Sequence, residues 1–311
     1  MLLGLALAGA SACVAASADP HDARGGHPED TDAHVLVLGR ISDDPKAHYE
    51  QLKPLLDYVV PRMAEVGIRE GRILMAKDVQ QMASYLRRGR VDWVSETAGT
   101  AMLLRQRADA RPLLLTERDG VSHYHSVFFA RRDSGLRSLE DLSGHNVAFQ
   151  RPTSTSAYFV PAATLLERGL TLEILLSPTD RINRGGVGYL FARSELNVST
   201  WVHKRLVDAG VMSNLDWNNP RRMPEAFRRD LIEIGRSEDY PRALEVVRGD
   251  LDAKVAARLR EVLMDAAGDP EAGEALLRFF KTTGFMPIDA ESQRALDHIG
   301  SGVARVRAEV E

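Results

Sequence analysis

A helix that ends in basic residues, followed by a Val-Asp pair that opens a strand, occurs twice in this chain. Arg87-Arg88-Gly89-Arg90 precedes Val91-Asp92, and His203-Lys204-Arg205-Leu206 precedes Val207-Asp208. Around each copy, short apolar runs alternate with segments of helical period. The first run, residues 35–38, leads into a segment that places Leu52, Leu55, Leu56, Val59, Met63 and Val66 on one helical face. Pro61 lies inside it and is expected to kink the helix. Further strands are expected at 73–76, 91–94, 112–116, 126–130, 146–149, 187–192, 207–211, 231–234 and 244–247. Beyond residue 247 the pattern reads as helical throughout, closing on a helix with Leu296, Ile299, Val303, Val306 and Val310 on one face. Alternating strands and helices define an α/β protein. The echo, without any short period, implies two lobes of similar construction rather than a solenoid, and 311 residues suffice for two cores.

Residues 1–18 hold an apolar run too short to cross a bilayer, ending in Ala16-Ser17-Ala18, the small-residue pattern of an export signal. The single cysteine, Cys13, follows Ala10-Ser11-Ala12, which leaves lipid anchoring through Cys13 as the alternative processing. Residues 19–33, rich in His, Asp, Gly and Pro, read as a flexible linker. The net charge of −4 offers no broad basic field, so nucleic acid is excluded as a natural partner and any anion site must be local.

One stretch has that local chemistry. Gln150-Arg151-Pro152-Thr153-Ser154-Thr155-Ser156-Ala157-Tyr158 lies between an expected strand and an expected helix. Consecutive hydroxyls at a helix start present O–H and N–H donors at the positive end of the helix dipole, a means of holding an oxyanion without lysine. The plainer reading is that one of them simply caps the helix. No nucleophile elbow, phosphate loop, dinucleotide fingerprint or HExxH pair accompanies the cluster, so binding is expected rather than catalysis, and no cofactor or metal is implied. His123 and His125 fall on one side of a strand without a third ligand, and read as hinge residues.

The ordered run Thr116-Glu-Arg-Asp-Gly120, Tyr124-His-Ser-Val-Phe-Phe-Ala-Arg-Arg-Asp-Ser-Gly135, Ser138-Leu-Glu-Asp-Leu-Ser-Gly144, Val147-Ala-Phe149, Ser154-Thr-Ser156 and Val160-Pro161 resembles the phosphate, phosphite and phosphonate-binding proteins of ABC importers. The resemblance implies a type II periplasmic binding protein fold: two α/β lobes joined by a two-crossing hinge, with the ligand cleft between them. Lobe one is expected at 34–124 plus 238–311 and lobe two at 125–237, with crossings near 123–126 and 235–241. It further implies an exported monomer that captures a small anionic or zwitterionic oxyanion and presents it to an ABC permease in the inner membrane. A sensor of the same fold that signals to a membrane partner is the alternative.

By the same resemblance Ser154, Thr155 and Ser156 bind the anion. Other expected ligand contacts are Glu96 and Thr97 at a strand end, Arg40 as an oxyanion clamp or a neutraliser of Glu96, Tyr158, Ser194, Glu195 and Asn214, with Trp217 nearby. Three positions depart from the family pattern. Val79 and Glu96 stand where aromatics are usual, and Ser194 where a His is usual, so the ligand is expected to differ from the usual phosphonate.

Overall fold

The computed structural model describes residues 34–183 and 185–310; the export signal, Cys13 and the 19–33 linker lie outside the described residues. The first apolar run becomes β1 (Val35–Ile41), with Leu36 and Leu38 fully buried. α1 (Pro45–Arg62) starts at Asp44, whose carboxylate accepts from the Ala47 N–H, and continues through Pro54 and Pro61. β2 (Glu70–Ala76) pairs parallel to β1. α2 (Val79–Arg87) is capped by Asp78, which accepts from Gln81; the Gln81 side chain bonds the Lys77 N–H instead of closing a reciprocal box. β3 (Trp93–Thr97), α3 (Ala98–Ala108) and β4 (Arg111–Arg118) come next. At its far end β4 turns through Asp119 and Gly120, both at positive φ, and Arg118 and Val121 exchange backbone hydrogen bonds across this two-residue turn.

The chain then leaves this sheet through β5 (His123–Tyr124) and builds a second one. Its elements are β6 (Ser126–Arg131), β7 (Asn146–Phe149), α4 (Val160–Glu167), β8 (Thr171–Ile174), β9 (Gly186–Phe191), α5 (Glu195–His203), β10 (Ala209–Ser213), the single turns α6 (Asn214–Trp217) and α7 (Glu225–Arg228), and β11 (Leu231–Arg236). The return passes through β12 (Tyr240–Pro241), which pairs antiparallel with β5, so the two crossings form one short ribbon. Back in the first sheet come β13 (Ala243–Val247), α8 (Ala253–Ala266), α9 (Gly273–Arg278), β14 (Thr282–Met286) and α10 (Ala290–Glu309).

Strand order is β14-β4-β13-β3-β1-β2 in the first sheet and β11-β6-β10-β7-β9-β8 in the second. One apolar cluster, including Leu52, Trp93, Leu259 and Phe279, packs against the first sheet. Another, including Phe129, Val198 and Met212, packs against the second. α10 lies against both α3 and α4, joining the helical layers of the two sheets.

Two expectations needed correction. The stretch after 247 is not wholly helical: Thr282–Met286 forms edge strand β14 beside β4. Its Thr-Thr-Gly-Phe-Met sequence is too short for a clear two-residue period. β8 at the opposite edge of the second sheet escaped notice for the same reason. Strand ends also moved: β3 runs from Trp93 to Thr97, so Ser95, Glu96 and Thr97 belong to the strand.

The repeated Val-Asp pair has one structural role in both sheets. Asp92 precedes β3 and accepts from the Val37 N–H of β1 at 2.8 Å, while Asp208 precedes β10 and accepts from the Asn146 N–H of β7 at 3.1 Å. Each carboxylate thus satisfies a neighbouring strand's backbone donor at the sheet's entry edge. Asp92 also pairs with Arg248 at 2.8 Å, and its side chain is only 9% exposed. Asp92→Ala is expected to lower stability by about 2–4 kcal/mol, because a partly buried N–H and a half-buried guanidinium lose their acceptor. Urea unfolding checks this; a loss below about 1 kcal/mol would show that Asp250 and water compensate.

Candidate functional site

β7 ends at Phe149, and the 150–158 stretch then turns back on itself: the Gln150 N–H donates to Ala157 O and the Ser154 N–H to Arg151 O. A π-helical turn (Thr155–Phe159), with Ala157 at φ −123°, then runs into α4. Pro161 falls in the first turn of α4, where its missing N–H costs nothing. A single wide turn of this kind re-aims side chains that a regular helix would stack.

The three hydroxyls consequently divide. Ser154 is the cap, accepting from the Ala157 N–H at 3.1 Å. Thr155, 2% exposed, points toward the other sheet, donating to Thr97 Oγ1 at 3.0 Å and accepting from the Gly99 N–H at 2.9 Å. Ser156, half-buried, shares a hydrogen bond with the hydroxyl of Tyr124, which burial pushes up to about 12. Gly99 is required by this geometry, because a β-carbon there would lie 2.8 Å from Thr155 Oγ1.

Across from the turn, the carboxyl ends of β1 and β3 carry the charged residues. Arg40 donates to Ser95 O at 2.5 Å, and its Nη1 lies 3.3 Å from Glu96 Oε1. That oxygen is buried without a hydrogen bond, so Arg40 and Glu96 interact through charge rather than a directed contact. His48 sits beside them, bonded to Ser42 Oγ at 2.6 Å; burial and then Arg40 push its pKa down. On the rim, Arg151 after β7 reaches Asp43 after β1 at 2.8 Å, an exposed pair of small energetic weight.

The remaining expected residues spread over the second sheet. Ser194 caps α5 by accepting from the Asn197 N–H. Glu195 accepts from the Gln150 side chain at 2.7 Å and lies 3.6 Å from Arg222, and burial raises its pKa. Asn214 exchanges two hydrogen bonds with the His125 backbone at the first crossing. Tyr158, 1% exposed, packs among Phe149, Phe159, Tyr189 and Phe191. Trp217 packs on Phe129 with the Arg228 guanidinium over it. Val79 is buried in the core at the start of α2. In the crossings, His123 faces Ser292 at 3.1 Å and His125 faces Asp239 at 2.8 Å. No cluster of metal-ligating side chains occurs among the described residues.

The sequence reading missed a buried polar group beneath Arg40. Glu245, in the middle of β13, is fully buried and accepts from Trp93 Nε1 (2.6 Å), Ser95 Oγ (2.8 Å) and Thr116 Oγ1 (2.7 Å). Burial pushes its carboxyl up against the pull of those donors. Arg118 donates to the same Ser95 hydroxyl at 3.1 Å, and burial and Arg40 bring its pKa down to about 10. A single glutamate within an apolar strand was the only sequence signal, and Arg118 looked like part of a surface turn.

Two α/β sheets, connected by a paired double crossing and meeting at strand carboxyl ends, make this a type II periplasmic binding protein. Residues 39–293 match the family described as the ABC transporter, phosphonate, periplasmic substrate-binding protein. The protein XAC2383 from Xanthomonas citri, described bound to ATP, is 57% identical, with a TM-score of 0.84 covering 89% of this chain and 100% of that one. Its chloride-bound structure is 58% identical (TM-score 0.83; 88% and 99% covered). PhnD1 from Prochlorococcus marinus in complex with methylphosphonate shares the fold at 17% identity (TM-score 0.61; 88% and 99% covered). The chain therefore belongs to the periplasmic phosphonate substrate-binding proteins of ABC transporters. Membership implies a small ligand, a membrane permease as partner, and a location in the periplasm or outside the cell. None of the described helices is long and apolar enough to cross a membrane.

Proposed function

We propose that the protein captures a small phosphate- or phosphonate-bearing solute between its two lobes, 34–124 plus 238–311 and 125–237, and hands it to the permease without chemical change. The observation that carries this reading is the convergence of donors from both sheets. Thr155 from the second sheet meets Thr97 and the Gly99 N–H, at the N-terminus of α3, from the first. A ligand oxygen taking up the Gly99 N–H and the two threonine hydroxyls would replace a direct bond between the sheets, and closure of the lobes is the means of enclosing it. In this reading Ser156, Glu195 and Asn214 add contacts from the second sheet, while Arg40 offsets the charge of Glu96 so that the carboxylate does not repel an anion. The ATP described on the 57% identical relative supports an organic phosphate among the candidates.

A thermal-shift panel tests this. Phosphate, phosphite, alkylphosphonates, ATP, sulfonates and neutral solutes are compared, and a true ligand at one hundred times its Kd stabilises by about 2.7 kcal/mol. A melt moved only by neutral or cationic compounds ends the oxyanion reading.

A further inference from the structure

Arg40 and Arg118 come from different strands, β1 and β4, and meet at one aromatic ring. Their guanidinium carbons lie 4.9 and 4.6 Å from the centroid of Phe280, within cation–π range. Phe280 and Lys281 hold φ values of 55° and 56°, in the left-handed region that non-glycine residues avoid. Two consecutive strained residues thus present the ring to the two cations, and strain of this kind concentrates at functional sites.

Both guanidiniums retain unused donors. Arg118 is 9% exposed and Arg40 about as enclosed, with a side chain 15% exposed, yet the buried Nε of each lacks an acceptor. Glu96 Oε1 beside them is likewise unbonded. Glu245 is occupied by three neutral donors, and its hydrogen-bonded link to Arg118 runs through the Ser95 hydroxyl, so it attracts Arg118 by charge without taking up its donors. A third guanidinium, Arg242, donates to the Arg118 carbonyl at 2.5 Å. Three positive groups therefore face two carboxylates, one of which burial drives toward its neutral form. The surplus is positive and desolvated, and it lies at the carboxyl ends of β1 and β3, where α/β sheets of this kind hold ligands. Glu96 is followed in β3 by Thr97, the partner of Thr155, so the arginine pair adjoins the hydroxyl cradle.

We propose that Arg40 and Arg118 form a second anion subsite, which selects ligands with two separated negative centres, such as organic diphosphates and triphosphates, over compact phosphonates. This rests on the oxyanion reading above and adds the class of ligand. Guanidiniums suit the task because each presents a planar fork of donors that matches phosphate oxygens.

Calorimetric titration of the full chain at fixed ionic strength, with phosphate, methylphosphonate, pyrophosphate and tripolyphosphate as probes, tests the proposal. The native protein is expected to bind pyrophosphate at least about tenfold more tightly than phosphate. Arg40→Gln brings that ratio close to one, whereas Thr155→Val weakens both probes by a similar factor. Arg118 is too enclosed to replace safely, so Phe280→Leu, which keeps the apolar volume but removes the ring face, serves as the second variant and lowers the ratio about threefold. The subsite is overturned if the native protein shows no preference for pyrophosphate, or if Arg40→Gln and Phe280→Leu leave the ratio intact. Binding of phosphate without that preference leaves the oxyanion reading standing, while binding of no probe overturns both.

Discussion

Glu245→Leu lowers stability by about 3–5 kcal/mol, the largest loss expected from a single change outside the apolar core. The leucine fills the space but strands the Trp93 indole N–H, the Ser95 and Thr116 hydroxyls, and the charge on Arg118, all of which the carboxylate serves. Glu245→Gln keeps one acceptor oxygen, and the two hydroxyls can rotate to suit it. It costs about 1–2 kcal/mol, because the one oxygen must serve the indole N–H, the amide NH2 then competes with Arg118 for the Ser95 hydroxyl, and Arg118 loses the attraction of the carboxylate. The pH dependence comes from the raised carboxyl pKa. A carboxyl held above its unfolded value contributes its full share of stability in acid, below the ordinary carboxylate range. It loses that share as pH rises toward its native pKa. The gap between native protein and Glu245→Gln is therefore widest in acid and narrows over that window. Urea titrations at several pH values measure it, and a gap that widens with pH would show that the carboxylate is ionised through the whole range with a lowered pKa.

Thr155→Val removes ligand-induced stabilisation. Valine matches the shape of threonine but offers nothing to the Gly99 N–H or to Thr97, so a charge-assisted contact worth about 1.5–3 kcal/mol disappears, about a ten- to hundredfold rise in Kd. The ligand-free melt also falls, by about 1–2 kcal/mol, since a buried amide loses its acceptor. Thr155→Ser restores both effects because the hydroxyl returns. The two readouts separate roles: a lowered melt with undiminished ligand response would leave Thr155 as a structural tie between the sheets and remove it from the site.

Much of the frame was legible because it depends on local rules. The apolar period that becomes α1 and the strand before the hydroxyl stretch each arise from nearest neighbours along the chain, although the helix ends at Arg62, short of the Val66 that the period included. The Val-Asp echo likewise marked a real correspondence, since both aspartates tie a strand entry to its neighbour. The edge strands β8 and β14 were lost because four or five residues carry too little period, and their pairing partners lie far along the chain. At the hydroxyl stretch, cap and cradle proved compatible. Ser154 takes the capping bond while Thr155 is turned away from it by the π-helical turn.

By itself, the sequence determined the α/β class and the hydroxyl stretch at the end of a strand, which arise from periodicity and local motifs, while the double crossing was implied only by the family resemblance. Only the tertiary structure decided which hydroxyl reaches the opposite sheet, and that Arg40, Arg118, Glu245 and Phe280 share one enclosed space. Those four residues come from β1, β4, β13 and the segment before β14. Their energies depend on desolvation and on distances between strands remote in sequence, which no local pattern encodes.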